Sequence, residues 1–409
     1  EISREQKLKK LEIYIHIPFC AKKCDYCDFL SMRADEGTKR EYVNGLIREI
    51  ELSKDMMKWY QADTVFIGGG TPSILREDYI EKIMQTLKDN CELSENAEIT
   101  IECNPGIVNL KKLETYKKSG INRISFGLQS ANDSELRELG RIHDFAGFVE
   151  SYKIARQAGF NNINVDIMSA LPGQTPESYR DTLNKVIELN PEHISAYSLI
   201  VEDGTPMEEK VEQNLVTLPD EDTEREMYYL TREIALKNGY KRYEISNYAK
   251  PGYECRHNKG YWQRVEYLGF GLGAASLYQN KRYSNVSDLN EYIGLLLDGG
   301  KDEDYYGGMV YQDDVWDIQE DTLNILHGKI STLSNKDMME EFMFLGLRIT
   351  EGVSEKKFKM DFGRNIDAVY GEVIEKLEKQ HLLERKEGRI KLTDRGVDIS
   401  NYVMSEFLL

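Results

Sequence analysis

Tyr14-Ile15-His16-Ile17-Pro18-Phe19-Cys20-Ala21-Lys22-Lys23-Cys24-Asp25-Tyr26-Cys27-Asp28-Phe29 is the stretch against which the rest of the chain is read. Three of the six cysteines fall in it, spaced C-x3-C-x2-C directly after a short apolar run. Thiols bunched in an otherwise cysteine-poor, acidic chain point to metal rather than to disulfides. A structural zinc site wants four protein ligands, and a bacterial-ferredoxin run would read C-x2-C-x2-C and continue. Three thiolates on a four-iron cluster leave one iron without a protein ligand and open to a small molecule, which suits chemistry better than scaffolding. On spacing alone, three free thiols remain an alternative, as does zinc completed by His16 or a distant residue.

Composition sets the outer limits. A chain of 409 residues invites two or three domains, and 40% apolar with 30% charged residues is ordinary globular composition. A net charge of −18 argues against a nucleic-acid scaffold, because phosphate binding wants clustered Lys and Arg. No apolar run approaches the roughly 20 residues of a membrane span, and no signal peptide opens the chain. The reading is therefore a cytoplasmic protein with no membrane span, peripheral association being left open.

From Leu11 to about Leu199 short apolar runs alternate with helix-length amphipathic segments. Strands are expected at Glu12–Ile17, Thr64–Ile67, Glu98–Glu102, Arg123–Gly127, Asn162–Met168 and His193–Leu199. Helices are expected at Arg40–Tyr60, Arg76–Leu87, Leu110–Ser119, Phe145–Ala158 and Pro176–Leu189, with a short one near Ser134–Leu139. Asp144 and Thr175–Pro176 read as helix starts, and Gly120 and Gly159 as helix ends. Six βα units in under 200 residues imply an α/β fold with a parallel sheet. A full barrel needs eight units, so an open (β/α)6 partial barrel fits, although periodicity alone does not separate it from a doubly wound sheet. Either way, functional residues gather at the C-terminal ends of the strands.

Cys20-x3-Cys24-x-Tyr26-Cys27 resembles the signature of the radical S-adenosylmethionine (SAM) superfamily. With Tyr14, His16, Pro18 and Phe19 ahead of it, the longer string is similar to the branch holding oxygen-independent coproporphyrinogen III oxidase and the HemW-type heme chaperones. The resemblance implies the partial barrel and a [4Fe-4S] cluster on Cys20, Cys24 and Cys27. It also implies SAM chelated at the open iron and an electron donor to reduce the cluster. Gly68-Gly69-Gly70-Thr71, which alone would read as a tight turn, matches the segment whose backbone meets SAM. On that match Gly69, Gly70 and Thr71 are contacts, with Tyr14 and Tyr26 beside the cluster. Glu102, Gln129, Arg141 and Asp166 stand at or just beyond successive strand ends, and the resemblance assigns them to SAM, Arg141 meeting its carboxylate. A lone Asp inside an apolar run is costly unless hydrogen-bonded or paired, which singles out Asp166. Glu102 by itself would be a solvated strand end.

After Leu199 the rhythm breaks. A β-rich extension is expected over residues 201–329, and a helical, winged-helix-like domain over residues 330–409, following the barrel of residues 1–200. Gly269-Phe270-Gly271-Leu272-Gly273-Ala274-Ala275 does not open a helix in a βαβ unit, so a dinucleotide site is a poor reading. By resemblance this run covers the SAM site, with Ala275 in contact. His257-Asn258-x-x-Tyr261-Trp262 resembles the motif linked to heme binding in the HemW-type chaperones. A neutral imidazole is a good axial ligand, and Tyr and Trp pack on a porphyrin face. The plain alternative is a structural histidine with aromatic packing.

Two departures from the oxidase then bear on function. Phe29 stands where the oxidase keeps a fourth cysteine, and only about a dozen residues precede the first strand. The expectation is a heme chaperone that binds a [4Fe-4S] cluster, SAM and heme and passes heme to accepting proteins. Radical decarboxylation of coproporphyrinogen III, or another SAM-radical reaction on a tetrapyrrole, is the alternative.

Overall fold

The computed structural model describes residues 8–297 and 318–409. Six strands, β1 (Lys9–Ile17), β2 (Tyr60–Gly69), β3 (Glu92–Cys103), β4 (Arg123–Gln129), β5 (Ile163–Ser169) and β6 (His193–Ser198), lie side by side in chain order. All their pairings are parallel. Helices return the chain between them at Glu36–Leu52, Glu77–Asn90, Leu110–Lys118, Phe145–Gln157 and Pro176–Glu188. This is the partial (β/α)6 barrel that the resemblance implied and the strand–helix rhythm allowed.

Strand alternation decides which side chains meet a ligand. In β1, Leu11, Ile13, Ile15 and Ile17 are fully buried in the core shared with the helices. Glu12, Tyr14 and His16 consequently turn into the lumen. Register then stacks the inward residues. Thr64 lies level with Glu12 and Glu98, Phe66 with Tyr14 and Thr100, and Ser125 with Glu102 and Asn164. The lumen is a polar column inside an apolar sleeve.

The helix ends follow the expected chemistry. Asp144 Oδ1 accepts from the Gly147 amide at 2.8 Å, and Thr175 and Ser178 form a reciprocal capping box ahead of Pro176. The expected helix Arg40–Tyr60 is corrected at both ends. Asp35 caps a start at Glu36, accepting from the Thr38 amide at 2.7 Å, and the helix stops at Leu52, with a short turn Lys54–Met57 before β2. Strands β2 and β3 begin earlier than expected because their polar first halves pair across a register shift.

Residues of the second half add to both edges of the same sheet. β7 (Lys241–Arg242) and β8 (Asn247–Ala249) extend it beyond β6. β9 (Tyr267–Phe270) pairs parallel with β1, and β10 (Ala275–Tyr278), β11 (Lys281–Ser284) and β12 (Ser331–Thr332) follow outward. Part of the expected extension, residues 298–317, lies outside the described residues.

The C-terminal segment has its own apolar cluster, including Phe342, Met343, Phe358, Tyr370, Leu377 and Phe407. Its strands β13 (Val353–Ser354), β14 (Leu383–Lys386) and β15 (Arg389–Leu392) form an antiparallel sheet, with β14 and β15 joined by a turn at Glu387-Gly388. The chain closes in two short helices, Asp394–Asp398 and Ser400–Ser405, separated at Ile399. Glu341 joins this segment to the barrel, accepting from Arg264 at 2.9 Å and Arg282 at 2.8 Å. No helix among the described residues is long and apolar enough to cross a membrane.

Candidate functional site

The cysteine loop leaves the end of β1 and is tied down at its base. The Cys20 amide donates to the Met32 carbonyl at 2.9 Å, and the Met32 amide to that of Pro18 at 2.8 Å. His16 fastens it further: Tyr14 OH lies 3.0 Å from its Nδ1, and its Nε2 donates to the Leu30 carbonyl at 2.9 Å. Burial pushes the His16 pKa down, so the ring is a neutral strut. With both nitrogens used, it does not supply the fourth metal ligand that spacing left open. The tip of the loop is anchored on the segment before Arg141, the Asp25 amide donating to Leu139 and Lys22 Nζ to Gly140, both at 3.1 Å.

Cys20, Cys24 and Cys27 are free, partly exposed thiols that line one cavity of about 640 Å³ at the strand ends. Around it stand nine of the ten residues assigned to SAM: Tyr14, Tyr26, Gly69, Gly70, Thr71, Glu102, Gln129, Arg141 and Asp166. Thr71 Oγ1 approaches Cys20 Sγ at 3.4 Å and accepts from Asn104 Nδ2 at 2.9 Å. Arg141 donates to the Gly127 carbonyl at 2.6 Å, to Asn104 Oδ1 at 3.2 Å and to Cys24 Sγ at 3.4 Å. Its Nε is buried without a partner.

The acids are held ready in different ways. Glu102 accepts from the Gly69 amide at 3.1 Å, and burial, then the nearby Asp166 charge, pushes its pKa up to about 8. Asp166 is raised by burial, against the pull of hydrogen bonds from Asn164 at 2.7 Å and Ser125 at 3.3 Å. A cation entering the cavity would favour the charged form of both. Gly70 is obligatory for steric reasons. A Cβ there would sit 2.8 Å from the Phe19 carbonyl oxygen and 3.0 Å from Cys20 Sγ.

Two assigned residues, Ala275 and Trp262, stand outside the cavity. Ala275 is exposed in β10, two strands out from β1, and does not line the cavity. Gly269 serves the hairpin, since a Cβ there would lie 2.2 Å from the Ala275 carbonyl oxygen, while Gly271 and Gly273 pack against His16 and Leu30 at the base of the cysteine loop. His257 and Tyr261 do line the cavity, on the short helix Arg256–Trp262 set inside the barrel. His257 is sealed, however, its Nδ1 being 2.7 Å from Thr64 Oγ1 and its Nε2 3.0 Å from Tyr261 OH. It stacks on Phe66, and burial lowers its pKa to about 3. Trp262 lies outside the cavity lining, under the Arg348 guanidinium at 4.3 Å. The motif therefore forms no single aromatic face with an available imidazole nitrogen.

Sequence reasoning missed Asn104, Arg123, Asn164, Tyr197 and Asn247, all of which line the cavity. Tyr197 donates to Gln129 Oε1 at 3.1 Å, and Asn164 bridges Ser125, Asp166 and His193. The available signal was period-two polarity within strands that otherwise read as apolar runs. Arg123, fully buried at the start of β4, follows that rule.

The donor set fits the implied groups. Three thiols share a cavity whose wall Gly70 keeps open, and among the described residues no three His, Cys, Asp or Glu side chains are placed to hold one metal ion. The partnerless Arg141 Nε, inside a cavity that also presents carboxylates and backbone amides, suits the amino-acid end of SAM.

Comparison with known proteins gives the same picture. The Radical SAM superfamily model matches residues 14–186, and the HemN C-terminal domain model residues 333–399. The Lactococcus lactis heme chaperone HemW is 36% identical over 396 residues, 97% of each chain. That of Bacillus subtilis is 36% identical over 401 residues, covering 97% of this chain and 98% of that protein. The solved structure of coproporphyrinogen III oxidase (HemN) from Escherichia coli aligns with TM-score 0.79 at 22% identity, over 99% of this chain and 91% of that one. The last is a likeness of fold.

Proposed function

This chain belongs to the HemW heme chaperone family of the radical SAM superfamily, and on that premise we propose that it binds heme and passes it to accepting proteins. Similarity along almost the whole length to proteins of that name is the observation that carries the reading. In this reading Cys20, Cys24 and Cys27 hold a [4Fe-4S] cluster. SAM lies against Gly69, Gly70 and Thr71, its carboxylate at Arg141, and its cationic and hydroxyl groups near Glu102, Gln129 and Asp166. Tyr14 and Tyr26 close its sides. A bound cluster of this type supplies one electron to its ligand at the open iron. The residues do the rest by orientation and exclusion of water. An electron donor and heme-accepting proteins are the partners, and the site of action is the cytoplasm.

Phe29, exposed at the cavity lining, stands where a fourth thiol of the loop would be, and the other cysteine of the lining, Cys103, is buried. We expect the anaerobically reconstituted protein to bind hemin and load an apo-hemoprotein, while coproporphyrinogen III with SAM and reductant remains unconverted. Sustained protoporphyrinogen formation in that assay would overturn the chaperone reading in favour of the oxidase.

A further inference from the structure

We propose that Arg123, buried in the lumen one layer below Glu102, receives a carboxylate of the tetrapyrrole cargo, whose ring lies against Tyr14, Phe66 and Tyr261. The inference rests on the heme-carrier reading above and names the group that recognises a propionate.

Arg123 is 1% exposed, yet it lines the main cavity. Among the described residues its guanidinium makes no hydrogen bond and no ion pair, and its Nε is buried without a partner. Burial opposes its charge, which Cys255, Glu98, Tyr243 and Asp166 favour without hydrogen-bonding to it. The two carboxylates among them are engaged otherwise. Glu98 accepts from the Arg256 amide at 3.0 Å and the His257 amide at 3.2 Å, and Asp166 accepts from Asn164 Nδ2 at 2.7 Å. An arginine buried in this way is costly until an anion arrives, and a carboxylate matches its planar fork. SAM, in the reading above, turns its own carboxylate to Arg141, which leaves Arg123 for another ligand.

The neighbouring side chains suit a flat, aromatic acid. Register sets Arg123 level with Thr100, Thr100 with Phe66, and Phe66 with Tyr14, so one layer of the lumen holds all four. The Thr100 hydroxyl is likewise buried without a partner. Phe66 stacks on Tyr14 and on His257, with ring centroids 6.4 and 5.2 Å apart. Tyr261, 4.7 Å from His257 on the short helix Arg256–Trp262, continues this wall, and all four rings line the cavity. Aromatic faces hold a porphyrin by its ring, and the cation in the same layer takes its acid. The wall needs no open nitrogen on His257.

The test compares hemin with hemin dimethyl ester, in which both propionates are blocked, by absorption titration of the full chain in one mixed solvent. The wild type should bind hemin roughly tenfold or more tightly than the ester, the value of a buried charge-assisted fork. Arg123→Met, which keeps an apolar stem and removes the cation, should weaken hemin by the same factor and leave the ester unchanged, so that the preference disappears. A merely structural role would weaken both alike. Arg123→Lys should keep part of the preference, and together with the wild-type comparison it decides the matter should Arg123→Met fail to fold. SAM binding, measured by equilibrium dialysis, should be the same in all three proteins. A wild type that binds hemin and its ester equally overturns the proposal and leaves the carrier reading standing, as does an Arg123→Met protein that retains the preference. Loss of SAM rather than hemin in Arg123→Met would give Arg123 to SAM. A wild type that takes up neither porphyrin overturns both readings.

Discussion

The mouth and the floor of this barrel are built from the same kinds of side chain and do opposite things with them. At the mouth, valences are left open: three thiols reach the cavity, Arg141 keeps a buried N–H without a partner, and Glu102 is held with a raised pKa. At the floor, His257 spends both nitrogens on Thr64 and Tyr261, and Glu98 accepts from the first amides of the helix that carries it. Polar residues in a lumen thus belong to a ligand where their hydrogen bonds are incomplete, and to the fold where they are closed. The closure is not perfect, since Glu12 Oε2 and Arg123 Nε are also buried without partners.

The contrast can be broken by mutation. The largest effect is expected of Cys20→Ala, which should abolish the cluster, read as iron content and the EPR signal of the reduced protein. Retention of a full cluster would remove the basis of the site.

Next comes the floor. His257→Ala should lower unfolding stability by about 3 kcal/mol, because it opens a cavity against Phe66 and orphans two buried hydroxyls. Denaturant unfolding measures it. Loss of hemin binding without loss of stability would return His257 to the role of ligand.

Arg141→Lys should cost about 2 kcal/mol in SAM affinity by calorimetry, since an ammonium keeps the charge but not the planar fork. It should cost less stability than the floor mutation. The reverse order would erase the distinction between the two regions.

The smallest effect is expected at Glu102. Its folded pKa of about 8 exceeds the ordinary value of 4.5, so the native state holds an extra proton between those limits. Stability of the ligand-free protein should fall as pH rises through that window, by on the order of 1 kcal/mol for a carboxyl that faces a cavity. Glu102→Gln should flatten the slope, and SAM binding by the wild type should strengthen over the same range. Parallel pH profiles for wild type and Glu102→Gln would rule out the linkage.

Much of the mouth was legible beforehand, because each group sits at the end of an apolar strand where a βα fold gathers its chemistry. Cys20, Gly70, Glu102 and Asp166 were singled out this way and line the cavity. Asn104, Asn164 and Tyr197 were not, since a polar residue inside an apolar run says nothing of its partners until neighbouring strands are in register. Ala275 was misplaced for a related reason. A glycine-rich run permits close backbone approach but does not name what approaches, and here it is the next strand of a hairpin at Gly269 and the base of the cysteine loop at Gly271 and Gly273.

Local spacing determined what could be read from one segment at a time: the thiol triplet, the βα rhythm and the helix caps. These depend on neighbours within a few residues, and their physics travels with the sequence. Only the tertiary structure decided which histidine keeps a lone pair. That depends on Thr64 and Tyr261 meeting His257, and on the Leu128 carbonyl meeting a single nitrogen of His143. Hydrogen-bond closure is a property of packed neighbours, and most of them are far apart in the chain.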